Sequence, residues 1–214
     1  DFSLSKKLIQ NRKTDYTHYI IIPHFVEGGD KAHEIINTIP KEKLILLDKN
    51  IKGVDGDFAV IYEDFEKDIY NALEELKDSL SKYHTLNIIF PEKSYYPKEI
   101  LTGFKRFCRQ YAFSYKILNR FSASDINKGE VFINLMEDDL VSLLEHVLSL
   151  GLETGKDVGI ISYNETPLKK FLLNGITTFS TDFKMRGTLV ADMVKSGAVE
   201  HRSVPFKVTI RASL

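Results

Sequence analysis

Short runs in which nearly every residue is apolar alternate with stretches whose apolar residues recur every three or four positions, and this alternation constrains the fold most. Tyr19 to Ile22, Leu44 to Leu47 and Leu86 to Phe90 read as strands buried on both faces, as in a parallel sheet covered by helices. Ala59 to Tyr62, Ser114 to Leu118, Val131 to Leu135, Val158 to Ser162, Thr177 to Ser180 and Phe206 to Arg211 are further strand candidates. Between them, Phe65, Ile69, Leu73, Leu76 and Leu80 predict one helix from about Asp64 to Lys82, opened by acidic residues that suit a helix N-terminus. The same spacing predicts helices over Lys98 to Tyr111, over Asp138 to Leu150 before the stop at Gly151, and over Phe183 to Lys195 before Gly197.

Strand and helix alternating almost without exception mean an α/β protein wound with helices on both faces of parallel sheets. The candidate strands suffice for two small sheets as well as for one large one, and no Pro/Gly/Ser-rich linker separates them, so any two lobes would be joined by strands crossing between sheets.

Charge narrows the function. The 29 basic and 30 acidic residues nearly cancel, which removes the positive field that phosphate-backbone binding needs, so this chain alone is not expected to hold DNA. Cys108 sits in the apolar pattern Ile100, Leu101, Phe104, Phe107 and reads as a small buried hydrophobe without a paired base. A single cysteine fits a reducing, cytoplasmic compartment. No apolar run reaches bilayer length, and Asp1 to Gln10 lacks the pattern of a secretion signal, so neither membrane nor export address is expected.

Parallel sheets bind ligands beyond the carboxyl ends of their strands. There the sequence places Pro23 and His24, Asp48, Tyr62 and Glu63, Pro91 to Tyr96, Phe121, Met136 to Asp139, Tyr163 and Asn164, and Thr181 to Phe183. Short polar groups mixed with aromatic rings suit a sugar, held by its hydroxyls and stacked by its faces, though any α/β protein has polar loops there. Neither a Gly-x-Gly-x-x-Gly turn nor a Gly-Lys-Ser/Thr loop follows a strand, so no nucleotide cofactor, and no other cofactor, is expected. Gly28 and Gly29 read as a turn before Asp30, the expected cap of the next helix. The six histidines are scattered without metal-ligand spacing, and Glu137, Asp138 and Asp139 read first as a complement to a helix dipole and only second as a cation site. No paired carboxylates or nucleophile and base stand out, so no enzyme is expected.

The segment Gly151-Leu152-Glu153 to Asp157-Val158-Gly159-Ile160-Ile161-Ser162-Tyr163-Asn164-Glu165-Thr166-Pro167-Leu168 resembles the sensor domain of the lactose/galactose repressor (LacI/GalR-type) family. Ile176-Thr177-Thr178, Asp182-Phe183, Gly187 and the ending Val204-Pro205-Phe206-Lys207 to Ile210-Arg211 follow in that family's order. The resemblance runs from Ala59 onward, and Tyr19 to Pro23 and Leu44 to Asp48 look like two of the family's N-lobe strands. The subgroup most similar places this sensor behind a gluconate-repressor-type (GntR-type) winged helix and includes L-fucose-responsive regulators.

The resemblance implies a two-lobed, periplasmic-binding-protein-like fold of type I, with parallel sheets flanked by helices. Residues 1–62 with 183–203 would form the N-lobe, and residues 63–182 with 204–214 the C-lobe. A further strand, helix and strand are expected ahead of Asp1, leaving the N-lobe sheet incomplete as given, and the DNA-binding domain is expected outside this chain.

The implied function is effector sensing: a small sugar or sugar phosphate, with L-fucose the suggested case, bound in the cleft between the lobes and altering operator binding of a homodimeric regulator. An exported sugar-binding protein of a transport system is the alternative. Asn164 stands where the family has a sugar-binding Asp, so an amide that both donates and accepts replaces a carboxylate. Phe121 matches an aromatic that packs on the sugar, Phe183 one beside the last crossover, and Glu137 lies near a polar residue at a helix start. The family's ligand-binding Arg is replaced by Ile100, for which Lys98 or Tyr96 could substitute. Asp48 and Tyr62 complete the expected effector-binding set, with no catalytic or metal-binding residue.

Overall fold

The structure, a computed structural model, describes residues 2–12, 16–25, 29–92 and 95–214. The chain divides into two compact units: residues 1–64 with 182–205, and residues 65–181 with 206–214.

The first unit comprises α1 (Phe2–Arg12), β1 (Tyr19–Ile21), α2 (Ala32–Ile36), β2 (Leu44–Asp48) and β3 (Ala59–Tyr62). The second unit opens with α3 (Phe65–Glu75), α4 (Lys77–Leu80), β4 (Thr85–Ile89), α5 (Glu99–Gln110) and β5 (Ser114–Leu118). It continues with β6 (Glu130–Asn134), α6 (Glu137–Ser149), β7 (Val158–Tyr163) and β8 (Thr177–Thr181). The chain then returns to the first unit for α7 (Phe183–Ser196) and β9 (His201–Ser203), and closes in the second with β10 (Phe206–Thr209).

In the first unit four parallel strands lie in the order β1-β2-β3-β9. Successive side chains of a strand point to opposite faces, so Leu44 and Leu46 meet Ile35 and Ile36 of α2. Ile45 and Leu47 meet Met193 and Val190 of α7 on the other side.

The second unit holds six strands in the order β10-β8-β7-β6-β4-β5. Leu86, Ile88, Val131 and Ile133 pack under Ile69 and Leu73 of α3 and Phe104 and Phe107 of α5. Ile89, Phe132 and Ile160 face Leu140, Leu143, Leu144 and Val147 of α6. Helix α3 lies so close to α5 that a Cβ on Gly103 would fall 2.1 Å from the Glu66 carbonyl oxygen.

Several expectations are corrected. The single helix over Asp64 to Lys82 is two, because the backbone leaves helical geometry at Leu76 (φ −89, ψ 1). The second sheet is not wholly parallel, since β10 runs antiparallel to β8. Lys31, not Asp30, precedes α2, and no side chain caps that helix. Asp30 is instead taken into a short 3₁₀ turn, Gly29–Lys31. Gly28 lies outside the described residues, as do Lys93 and Ser94 in the loop after β4. Helix α1 and the fully exposed strand β9 were not anticipated. Cys108 is buried, and burial pushes its thiol pKa up to about 12, so it is an inert core residue.

Candidate functional site

In the second unit the chain ends β7 at Tyr163 and turns at Asn164, which adopts φ 61, a conformation that Asn tolerates better than most residues. The Asn164 amide Nδ2 donates to the Tyr96 hydroxyl at 2.8 Å. Tyr96 is half-buried, stacked on Tyr95 with ring centroids 4.7 Å apart and edge-on to Tyr163 at 6.0 Å. Burial, and then neighbouring Tyr95, hold the Tyr96 hydroxyl protonated above the ordinary tyrosine range. This hydroxyl therefore works as a hydrogen-bonding group and not as a base.

Behind Asn164 sits Lys169, 1% exposed. Its ammonium donates to the backbone oxygens of Tyr163 and Asn164, each at 2.7 Å, and pairs with Glu137 Oε1 at 2.8 Å. Three acceptors for three ammonium protons satisfy a buried lysine. Glu137, the first residue of α6, keeps a side chain 58% exposed. The turn from β6 into α6 is fixed beneath it, where the buried Asn134 amide donates to the Met136 oxygen at 2.9 Å and to Ser162 Oγ at 3.0 Å. Tyr96, Glu137 and Asn164 are thus drawn to one end of the sheet around a lysine that the sequence reading missed.

The loop after Asn164 is held by a second pair. Arg211 donates to both Glu165 carboxylate oxygens, at 2.9 and 2.7 Å, and Thr178 Oγ1 donates to the same group. Arg211, foremost, holds the Glu165 carboxyl below the usual glutamate range.

Phe121 and Lys98 stand apart from this cluster. Phe121 packs with the core under α6 and meets His146 edge-on at 6.0 Å. Lys98 is exposed immediately before α5.

In the first unit Asp48 is the last residue of β2, 8% exposed and at φ 69. Arg186 Nη1 donates to Asp48 Oδ1 and reaches Glu63 Oε1 at 3.3 Å, while His24 Nε2 lies 3.2 Å from Asp48 Oδ2. The guanidinium also sits over the Phe183 ring, 4.8 Å from its centroid. Asp182 aims this helix by accepting from the Met185 backbone N–H at 2.9 Å. Tyr62 lies beside Asp48 in the sheet and is 37% exposed. The expected residues Asp48, Tyr62 and Phe183 therefore share one end of the first sheet, organised by Arg186, which the sequence reading had only as a helix residue.

Among the described residues no group of three or more His, Cys, Asp or Glu could hold a metal ion, and no helix is long and apolar enough to cross a membrane.

No protein-family model matches the sequence, and no curated protein does. The fold, by contrast, has many solved counterparts. The dimeric Lac repressor with an 11-residue C-terminal deletion superimposes with a TM-score of 0.77 at 15% identity, covering 100% of this chain and 83% of that one. A sugar-binding transcriptional regulator of the LacI family from Escherichia coli, complexed with phosphate, gives 0.75 at 15% identity, covering 99% and 82%. A probable maltose operon transcriptional repressor from Staphylococcus aureus gives 0.77 at 17% identity, covering 99% and 80%. The chain shares the two-lobed, type I periplasmic-binding-protein-like α/β fold of these structures. By their descriptions these neighbours are transcriptional regulators or repressors.

Proposed function

We propose that this chain is the effector-binding domain of a bacterial transcriptional regulator, taking a small sugar at the carboxyl ends of its parallel strands. One observation carries the reading: the second unit gathers Tyr96, Glu137 and Asn164 around a fully satisfied buried Lys169, so the polar groups are pre-positioned. A pre-positioned amide, phenol and carboxylate suit hydroxyls, which both donate and accept. Asp48, Tyr62 and Phe183 offer the same chemistry in the first unit, with Phe121 and Lys98 as further candidates from the sequence.

Regulation follows by linkage. An effector shifts the domain between two states only by its difference in affinity for them, about 1.4 kcal/mol for each factor of ten. In the full-length regulator that difference alters operator binding.

A homodimer in the cytoplasm belongs to this reading. Val141 and Leu148 on α6, and Leu168 and Phe171 beyond β7, are 54 to 72% exposed, outward apolar side chains that a subunit contact would cover. The neighbours' names support neither a gluconate-repressor-type subgroup nor L-fucose.

A thermal-shift screen of monosaccharides and their phosphates tests the proposal. A ligand at 100 times its dissociation constant adds about 2.7 kcal/mol, a shift of several degrees. Absence of any shift across the panel contradicts the reading.

A further inference from the structure

A sugar presents hydroxyls around its rim and C–H bonds on the faces of its ring, and the polar cluster at Asn164 serves only the first of these surfaces. Phe121, the aromatic that the sequence offered for the second, is packed with the core under α6. At the cluster itself a different ring is placed for it.

From the core of the second unit outward run Phe179, Tyr163, Tyr96 and Tyr95. Phe179 is fully buried and meets the buried Tyr163 edge-on at 6.1 Å. Tyr163 meets Tyr96 edge-on at 6.0 Å, and Tyr96 stacks on Tyr95 with centroids 4.7 Å apart and planes 24° from parallel. Tyr95 is the outermost of the four rings, 48% exposed. Its hydroxyl lies beside that of Tyr96, which also receives the Asn164 amide, so the stack ends next to the groups suited to hydroxyls.

This column fixes Tyr95 before any ligand arrives. A tyrosine has few side-chain torsions to lose, and one face of this one is already held by Tyr96, so binding orders it at little cost. Nearly half of the residue stays in water, apolar ring area that the C–H face of a sugar would cover. A cyclic sugar offers such a face because its ring is rigid and its hydroxyls lie mostly at the rim. The open-chain alditol made by reducing it has no fewer hydroxyls and no persistent face.

We infer that the effector is a sugar in its cyclic form, stacked by a C–H face on Tyr95 while its hydroxyls reach Asn164 and Glu137. The inference rests on the effector-binding reading above and specifies its ligand. Tyr95 supplies the stacking face, and Tyr96 and Tyr163 position it from behind.

The test is isothermal titration of the intact chain with D-glucose, D-galactose, D-mannose, D-ribose and their phosphate monoesters, each beside the alditol made by reducing it. At least one cyclic compound should bind, with its alditol at least about tenfold weaker. For that compound Tyr95→Ala should lose about tenfold in affinity and Tyr95→Phe should stay within about threefold, both melting with wild type. An alditol that binds as tightly as its sugar, or unchanged affinity in Tyr95→Ala, overturns the inference while leaving effector binding intact. A loss in Tyr95→Phe as large as in Tyr95→Ala overturns stacking as the contact. If Tyr95→Ala melts early, the comparison of sugar with alditol on wild type decides alone. Failure of every compound overturns both the inference and the reading beneath it.

Discussion

Lys169 Nζ stands 2.8 Å from Glu137 Oε1, joining the loop that follows β7 to the first residue of α6. The two ends of this bond differ sharply, since the lysine is 1% exposed and the glutamate side chain 58%. The lysine is a fixed internal support, and the carboxylate is the end left open to solvent.

Lys169→Met should therefore weaken the fold as well as the site. It strands the Tyr163 and Asn164 backbone oxygens, and each buried polar group left unpaired costs roughly 1 to 3 kcal/mol. Urea denaturation should show a loss of about 2 kcal/mol or more. A loss below about 0.5 kcal/mol, the range of an ordinary surface substitution, would mean that water replaces the lysine without cost.

Gly103→Ala tests the contact between α3 and α5. Its Cβ would sit 2.1 Å from the Glu66 carbonyl oxygen and 2.5 Å from Ile69 Cγ2, so the helices must separate. Overpacking of this kind costs roughly 1 to 3 kcal/mol, against the small gain that Ala gives in an open helix. A melting temperature above wild type would show that the helices slide freely.

Acid stability should depend on Glu165. Arg211 and then Thr178 depress its carboxyl in the folded state, so the pair stabilises the fold above the ordinary glutamate value of 4.5. That contribution is lost as pH falls from 4.5 through the lower folded-state value. Glu165→Gln should flatten the fall in melting temperature over this acid range and lower stability near neutrality. An identical pH profile in the variant would remove Glu165 from the account.

Among the described residues, strand β1 is an edge of the first sheet, and Ile20 on it is 48% exposed, with Ile22 just beyond at 51%. An exposed apolar edge invites pairing with another chain. Ile20→Lys should reduce concentration-dependent light scattering while leaving stability within about 0.5 kcal/mol. Equal scattering would show that association uses another surface.

The strands were legible because burial on both faces leaves nearly continuous apolar runs. Ala59 to Tyr62 matches the largely buried β3 residue for residue, and Ser114 to Leu118 matches β5, whose residues are exposed or only partly buried. Strand β9 was not, since His201, Arg202 and Ser203 are exposed and bear no apolar signal. The break at Leu76 was hidden because Leu73, Leu76 and Leu80 keep helical spacing across it and are all buried. At the site, sequence order put Tyr96, Glu137 and Asn164 at strand ends, but their supports could not be read. A lysine written between Leu168 and Lys170 looks solvated, and only the fold turns Lys169 inward while Lys170 stays exposed. Arg186 was likewise a helix residue until α7 brought it to Asp48.

The most direct measurement is isothermal titration of wild type and Asn164→Gly with the tightest-binding free sugar, beside their melting curves. Gly is the informative replacement because Asn164 sits at φ 61, where an Ala would add backbone strain of its own and confuse binding with folding. Removing the amide leaves a sugar hydroxyl without its partner and takes one hydrogen bond from the Tyr96 phenol, so affinity should fall by roughly 1 to 3 kcal/mol, about 5- to 150-fold, with little change in melting temperature. Unchanged affinity, with or without a lower melting temperature, would make Asn164 a turn residue and contradict an effector site built around it.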